Sequence, residues 1–321
     1  MKKILSFMLI ALLALSLVGC QSSAPTSTEG TNTEGTTTED TTSTTIHIYT
    51  RDSSSGTREA FEGAIGLEEG ALTSSASEVS SNGDMATRVG SDTSGIGYTS
   101  LTTDFEANNI KPLSFEGVEA SSETVLDGSY QMQRPFNYVT RAAGDYSSDD
   151  LEQLVAAFIA YITESTEGLT VIEENGGIVS YENARPWSEV AQDYPVLNQD
   201  NSSLTIRTGG STSVEKVIRA ALESFQPLAG NVQFAMNQSG SSDGHLRTLG
   251  SEKDGANAVE IGFASRPFKA EEDVTNAMAS GSFCLDAVVA VVNADNTLEN
   301  ITAAQLHDIY AGTLTDFSEV E

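Results

Sequence analysis

Hydroxyl, glycine and guanidinium groups gather in residues 51–61, directly after the short apolar run 46–50. The run predicts a strand, and the residues after it predict the first turn of a helix. Arg51 offers a forked cationic donor, and Gly56 lets the backbone approach a ligand closely. Ser55 and Thr57 add hydroxyls beside the free N–H groups of the helix start. This combination is typical of a site for a tetrahedral oxyanion, although a polar turn that only caps the helix has the same composition.

The same chemistry recurs at two further predicted helix starts. Residues 209–213 carry Thr212 and Ser213 after two glycines, and residues 239–244 carry Ser241 between glycines. Three such turns in one chain favour a shared ligand site over three unrelated caps. At the first of them an alternative stays open, because residues 212–215 also have the form of a capping box in which Thr212 serves only its helix.

The N-terminal residues predict a bacterial lipoprotein signal. Lys2 and Lys3 precede an apolar run over 4–18, and a small-residue motif leads to Cys20. The run is shorter than the ~20 residues of a spanning helix. We therefore expect a signal peptide at 1–19, lipidation of Cys20 and a lipid anchor in the cell membrane. Residues 20–45 are rich in Ser, Thr and Glu without an aromatic, which predicts a disordered tether.

Charge and cysteine content narrow the possible partners. The formal net charge is −30, and removing Lys2 and Lys3 with the signal peptide gives −32. This charge argues against nucleic acid and anionic membrane surfaces as partners. Distant surface charge is screened within ~10 Å, so it does not exclude an anion site formed by local donors. Cys284 is the remaining thiol once Cys20 is lipidated, which predicts no internal disulfide.

Strand and helix patterns alternate along the chain, which indicates an α/β fold with ligands at the carboxyl ends of strands. Apolar residues recur at helical spacing from Leu151 to Ile162, and the β-branched run 285–292 predicts a strand buried on both faces. Residues 183–202 contain Pro186, Trp187 and Pro195 and read as a surface linker.

These segments resemble the phosphate-binding lipoproteins of bacterial ABC-type phosphate uptake systems, which are members of the periplasmic-binding-protein superfamily. The resemblance covers about residues 46–182 and 203–321. It is carried by the stretches 51–61, 95–101, 210–213, 239–244, 261–267 and 285–296. It implies a two-lobed α/β fold with a ligand cleft, an extracytoplasmic monomer without catalysis or cofactor, inorganic phosphate as ligand and a transporter permease as partner.

The resemblance also assigns ligand contacts. They are Arg51, Ser55, Gly56 and Thr57 from one lobe, and Thr212, Ser213, Ser241 and Ser265 from the other. One position departs from the family, because Arg266 stands where some members have an aspartate that accepts the proton of hydrogen phosphate. Discrimination between phosphate and sulfate is then in doubt. Asp52, Asp243 and Asp286 are candidate substitutes.

The order of the segments differs from that of the family, in which the equivalent of 203–321 comes first. The chain therefore resembles a circular permutant, and the ends near residues 46 and 321 should lie close together. The expected lobes are one continuous lobe, 133–293 with the linker 183–202, and one built from 46–132 and 294–321. A truncated frame from a tandem protein is the alternative.

Other functions fit less well. Sulfate or molybdate could replace phosphate in the same type of site. A serine hydrolase would need a histidine base, for which His245 near Ser241 is the candidate, and no His/Asp cluster has the spacing of a metal site. A non-transport surface lipoprotein would leave the Ser/Gly turns without a role.

Overall fold

The computed structural model describes residues 45–320. The predicted signal peptide, Cys20 and all but the last residue of the predicted tether lie outside the described residues. Between residues 45 and 320, no helix is both long enough and apolar enough to cross a membrane.

Strands and helices alternate along this part of the chain, as the sequence predicts. The strands are β1 His47–Arg51, β2 Ser77–Val79, β3 Gly95–Ser100, β4 Ile110–Pro112, β5 Ser114–Phe115, β6 Gln133–Thr140, β7 Thr205–Gly210, β8 Gln233–Gln238, β9 Ile261–Ala264, β10 Ser280–Asn293 and β11 Asn300–Ile301. The α-helices are α1 Gly56–Ile65, α2 Asn82–Gly90, α3 Ser122–Leu126, α4 Asp149–Glu164, α5 Thr166–Glu174, α6 Trp187–Val190, α7 Glu215–Phe225, α8 Ser241–Thr248 and α9 Ala303–Ala311. Short 3₁₀ turns cover Ala191–Asp193, Pro195–Asn198, Thr212–Val214, Gln226–Leu228 and Phe317–Glu319.

Local sequence explains where the first helix starts and stops. Ser55 Oγ accepts a hydrogen bond from the backbone N–H of Arg58 (3.3 Å), which satisfies one of the free donors of the first turn of α1. Gly66 ends α1 in the left-handed conformation, with φ at 68°. The strand-to-helix turn predicted at 51–61 is therefore present.

Most of the described strands form one curled sheet in the order β2-β1-β3-β10-β6-β9-β7-β8, with β4 also paired to β10. Both ends of the sheet are parallel: β1 pairs with β2 and β3, and β7 pairs with β8 and β9. In the middle, β10 runs antiparallel to β3, β4 and β6. The parallel regions place strand ends, and the turns that follow them, where the sequence predicts ligand contacts.

Strand β10 contributes residues to three hydrophobic cores. Its first half pairs with β6, whereas Val288–Val292 pair with β3. One core is formed by buried residues between Phe136 and Cys284. The other cores combine residues from the first and last parts of the described chain, and Ala287 to Val292 pack in them. This packing favours a lobe boundary near Asp286, within β10, over one at residue 294.

Residues 183–202 do not form the surface linker that the prolines suggest. The segment folds into α6 and two short 3₁₀ turns. Trp187, Val190, Val196 and Leu197 are buried in the core between Phe136 and Cys284, and the Trp187 ring packs edge-on against Tyr161 at 5.1 Å. Burial of these apolar side chains outweighs the turn preference of the prolines.

The two ends of the described chain lie side by side. The backbone N–H of Ile46 donates to the carbonyl of Thr315 (2.8 Å), and Thr45 forms an antiparallel bridge with Asp316. This is the proximity that the exchanged segment order predicts.

Candidate functional site

Three turns that are far apart in the sequence lie next to one another, between the core of residues 136–284 and the cores built from the first and last parts of the described chain. They are the start of α1, the start of α8 and the turn at residues 211–214. The side chains of Ser55, Thr57, Ser213, Ser241 and Ser265 are buried there, each at most 3 % exposed. The positive ends of two α-helices and several hydroxyls therefore point into one buried region.

Gly56 brings the starts of α1 and α8 into contact. A Cβ placed on Gly56 would lie 2.9 Å from the Cβ of Ser241 and closer still to its Oγ. Across the same contact, the N–H of Ser242 donates to the carbonyl of Ser54 at 3.3 Å. A side chain at residue 56 cannot be accommodated while the two helix starts are in contact.

We expect Gly56→Ala to weaken ligand binding, because the added methyl group strains the state in which the two helix starts are in contact. Overpacking costs about 1–3 kcal/mol, and this cost arises only when the two helix starts are in contact. It corresponds to roughly 5- to 150-fold weaker binding. Calorimetric titration with phosphate measures the change. Gly63→Ala on the same helix is the matched control, because its Cβ meets no atom within 4 Å. Equal affinities for the two variants would contradict the contact.

Arg51 is almost fully buried, with 1 % of its surface exposed. Its Nη1 donates to Asn82 Oδ1 (3.0 Å) and Thr212 Oγ1 (3.2 Å), and further donors reach the carbonyls of Val79 and Ser80. Burial lowers the pKa of Arg51, whereas the neighbouring Asp52 acts in the opposite direction. The guanidinium thus reaches from the first part of the chain to Thr212 in the second part.

Ser213 is the centre of a second set of contacts. Its Oγ lies 2.9 Å from Thr57 Oγ1, 2.7 Å from Asn82 Nδ2 and 2.9 Å from Arg134 Nη2. These partners come from α1, α2 and β6. The predicted residues Thr57 and Ser213, 156 positions apart, are therefore in direct contact.

Ser241 and Ser265 form a third set with Ser211. The N–H of Ser265 donates to Ser241 Oγ (3.0 Å), and the two hydroxyls lie 3.2 Å apart. Ser211 Oγ donates to Ser265 Oγ at 2.9 Å. All three hydroxyls are buried. The structure thus brings together all eight predicted contact residues, and it adds Ser211.

Thr212 does not cap α7 as the capping-box pattern suggests. Ser211 Oγ accepts from the N–H of Ser213 (3.2 Å), residues 212–214 form a 3₁₀ turn, and α7 starts without a side-chain cap. The turn frees Thr212 Oγ1 to accept from Arg51.

Sequence reasoning missed Arg134 as part of the site. Its guanidinium is paired with Asp286, with Nε and Nη2 at 2.9 and 2.8 Å from Oδ2, and Ser100 Oγ donates to Oδ1 at 2.8 Å. Burial raises the pKa of Asp286, against the effect of the facing guanidinium. Arg134 also donates to Ser213 and to Ser265 (3.3 Å). The signal in the sequence was an arginine inside a strand that is otherwise suited to burial.

Each candidate proton acceptor accepts hydrogen bonds from protein donors. Asp286 is held by Arg134 and Ser100, Asp243 accepts from Ser239, and Asp52 accepts from Arg51 and Ser54. Arg266 does not enter the hydroxyl cluster. Instead, its guanidinium pairs with Glu272 (2.6 Å) and lies 3.0 Å from Glu59 across the two parts of the chain.

The hydrolase alternative lacks its geometry. His245 is half-buried, and its Nε2 lies 3.1 Å from the carbonyl of Asp273. The other two histidines contact Asp92 and Asp308. In the described range 45–320, no group of His, Cys, Asp and Glu side chains is arranged to hold a metal ion.

Comparison with known proteins agrees with this architecture. A family model described as a PBP superfamily domain matches residues 195–320. The chain is 28 % identical to the phosphate-binding protein PstS 2 of Streptococcus pneumoniae, over 100 % of this chain and 99 % of that protein. It is 29 % identical to PstS 2 of Streptococcus agalactiae serotype V, over 86 % of this chain and 88 % of that protein. The crystal structure of a phosphate ABC transporter phosphate-binding protein from S. pneumoniae TIGR4 matches with a TM-score of 0.61 and 28 % identity, over 86 % of this chain and all of that one.

The family match concerns residues 195–320, the C-terminal part of the chain. Over most of its length, the chain is similar in sequence and fold to streptococcal phosphate-binding proteins.

Proposed function

We propose that this protein captures inorganic phosphate between its two lobes and delivers it to an ABC-type importer. The observation that carries the proposal is the meeting of two buried guanidiniums, Arg51 and Arg134, with hydroxyls from both parts of the chain. Asp286 compensates Arg134, whereas Asp52 lies 3.4 Å from Arg51 and is 27 % exposed. A buried anion complements this excess of positive charge and the two helix starts.

The surroundings of the site suit a cleft that opens and closes. A cavity of about 440 Å³ lies beside Thr212 and Ser213 and is lined by both lobes, including Asn82 and Lys216. On another side, Glu59 of α1 pairs with Arg266 and Lys269, each at 3.0 Å. Separation of the lobes at these contacts exposes the hydroxyls, and closure removes the ligand from water, which strengthens its hydrogen bonds.

Titration calorimetry on residues 46–321 tests the proposal. We expect phosphate to bind with one site per chain, without release of a modified product. Absence of phosphate binding by the folded protein would refute the function. Sulfate and molybdate are titrated in the same way. Molybdate separates recognition of tetrahedral shape from recognition of phosphate itself.

The segment order also enters the proposal. One alignment spans nearly the whole of this chain and of the pneumococcal relative, so their segments follow the same order. With the contact between Ile46 and Thr315, this supports a permuted single protein over a truncated tandem frame. We propose one continuous lobe from about residue 133 to the middle of β10, and one lobe from 46–132 and the C-terminal part.

A lipid anchor at Cys20 completes the proposed arrangement, with the protein outside the cytoplasm. We expect Cys20→Ser to release the protein from the membrane and to leave phosphate affinity unchanged, because residues 20–45 separate the anchor from the lobes. Membrane fractionation and titration of the released protein measure both effects. Cys284→Ser is the matched control and should remain in the membrane fraction. A Cys20→Ser variant that also stays there would contradict the anchor.

A further inference from the structure

The direction of the hydrogen bonds around Ser213 follows from its lone pairs. A serine hydroxyl accepts two hydrogen bonds and donates one. Asn82 Nδ2 (2.7 Å) and Arg134 Nη2 (2.9 Å) donate to Ser213 Oγ, and the Asn82 amide is oriented because its Oδ1 accepts from Arg51. The Ser213 proton must therefore point to Thr57 Oγ1, or to an anion that takes its place. The Thr57 proton remains available to a ligand.

The same reasoning applies to Ser265. Ser211 Oγ (2.9 Å) and Arg134 Nη1 (3.3 Å) both donate to Ser265 Oγ, so the Ser265 proton is donated to Ser241 Oγ. Ser241 Oγ also accepts from the N–H of Ser265. Both lone pairs of Ser241 are then occupied, and its own proton can only be donated outward.

We propose that Arg134 is a positioning residue that sets the direction of both hydroxyl chains, so that the site presents donors to the ligand and does not reject sulfate. One guanidinium reaches Ser213 and Ser265 at once, and Asp286 holds it in place. This inference rests on the proposed function, since it concerns how the same site treats two anions of similar shape.

The arrangement of donors affects phosphate and sulfate differently, because hydrogen phosphate carries a proton. Hydrogen phosphate carries an O–H that needs an acceptor, and a site without one discriminates against it, whereas a fully deprotonated dianion loses nothing. In the described residues, the carboxylates nearest the cluster, Asp52 and Asp286, already accept from other donors. Arg266 lies outside the cluster and provides no acceptor.

The charged protein groups that face the site come from several elements. The cations are Arg51 on β1 and Arg134 on β6, and the carboxylates are Asp52 after β1 and Asp286 on β10. Glu59, Arg266, Lys269 and Glu272 form the next ring. The three histidines contact Asp92, Asp273 and Asp308, which are not part of the hydroxyl cluster. Phosphate itself changes its charge between about pH 6 and about pH 8.

Titration of residues 46–321 with phosphate and with sulfate at about pH 6 and about pH 8 tests the inference. We expect sulfate to bind within about tenfold of phosphate, with the same affinity at both pH values. Phosphate should bind roughly tenfold more weakly at the lower pH, where its monoanion dominates. Rejection of sulfate with a flat phosphate profile overturns the inference and leaves the proposed function intact. Binding of neither anion overturns both.

Arg134→Lys separates positioning from a structural role. Lysine keeps a cation beside Asp286 but lacks the planar fork with which Arg134 Nη1 and Nη2 reach Ser265 and Ser213 separately. One hydroxyl then regains a free lone pair, so sulfate should lose more affinity than phosphate, and the pH dependence for phosphate should become shallower. Ser241→Ala is the control, because it removes a donor from both anions. Parallel losses for both anions in Arg134→Lys, with an unchanged pH profile, overturn the positioning role. Circular dichroism confirms that each variant is folded.

Discussion

Arg51→Ala is expected to weaken phosphate binding by about 2–5 kcal/mol, which is roughly 30- to 5,000-fold. The side chain is 1 % exposed and donates to Asn82 and Thr212 on opposite sides of the cleft. Its removal takes away a charge-assisted donor and also the hydrogen bond that orients Asn82 towards Ser213. Calorimetric titration of the variant with phosphate measures the loss.

The control for this variant is Arg185→Ala, which also removes a guanidinium. Arg185 is 45 % exposed and pairs with Glu164, distant in the fold from the hydroxyl cluster. We expect its phosphate affinity to equal that of the unmodified chain, because exposed ion pairs contribute little. If Arg51→Ala retained full affinity, the assignment of the site would be wrong.

Asp286→Ala is expected to lower the free energy of unfolding by about 3–5 kcal/mol, because it leaves the buried Arg134 without its counter-charge. The pair is nearly inaccessible, at 3 % and 0 % side-chain exposure. Ser100 also loses the acceptor for its hydroxyl. Urea unfolding, followed by circular dichroism, measures the change.

Two variants show whether the loss comes from the buried charge. Glu215→Ala removes a 47 % exposed carboxylate that pairs with Arg219 on α7, and it should cost under about 0.5 kcal/mol. The double variant Asp286→Ala with Arg134→Met should recover most of the stability, since an apolar pair replaces both charges. If the single variant Asp286→Ala were as stable as the unmodified chain, the pair of Arg134 and Asp286 would not contribute to the stability of the fold.

The parts of the site that could be predicted from sequence are those set by neighbouring residues. Ser55, Gly56 and Thr57 follow a strand and start a helix, and Ser241 does the same at α8, so short-range rules identify them. Chemistry at such turns does not depend on which strands pair, because each turn carries its own free N–H groups.

Arg134 and Asp286 could not be found in the same way. They are 152 positions apart, and each lies within a strand, Arg134 in β6 and Asp286 in β10. Only the pairing of β6 with β10 places them opposite each other. The buried segment at 183–202 was misjudged for a related reason, because the burial of Trp187 depends on contacts with α4 and α7 that local turn preferences do not contain.

We propose that both parts of the chain build one anion site. Thr57 and Asn82 contribute from the first part, and Ser213 and Ser241 from the second. Titration of phosphate into residues 46–321, into the separate fragments 46–202 and 203–321, and into their mixture tests this directly. We predict one site per intact monomer, no binding by either fragment and partial recovery in the mixture. The proposal is wrong if one fragment binds phosphate with the affinity of the intact chain. It is also wrong if the intact chain binds phosphate only as a swapped dimer.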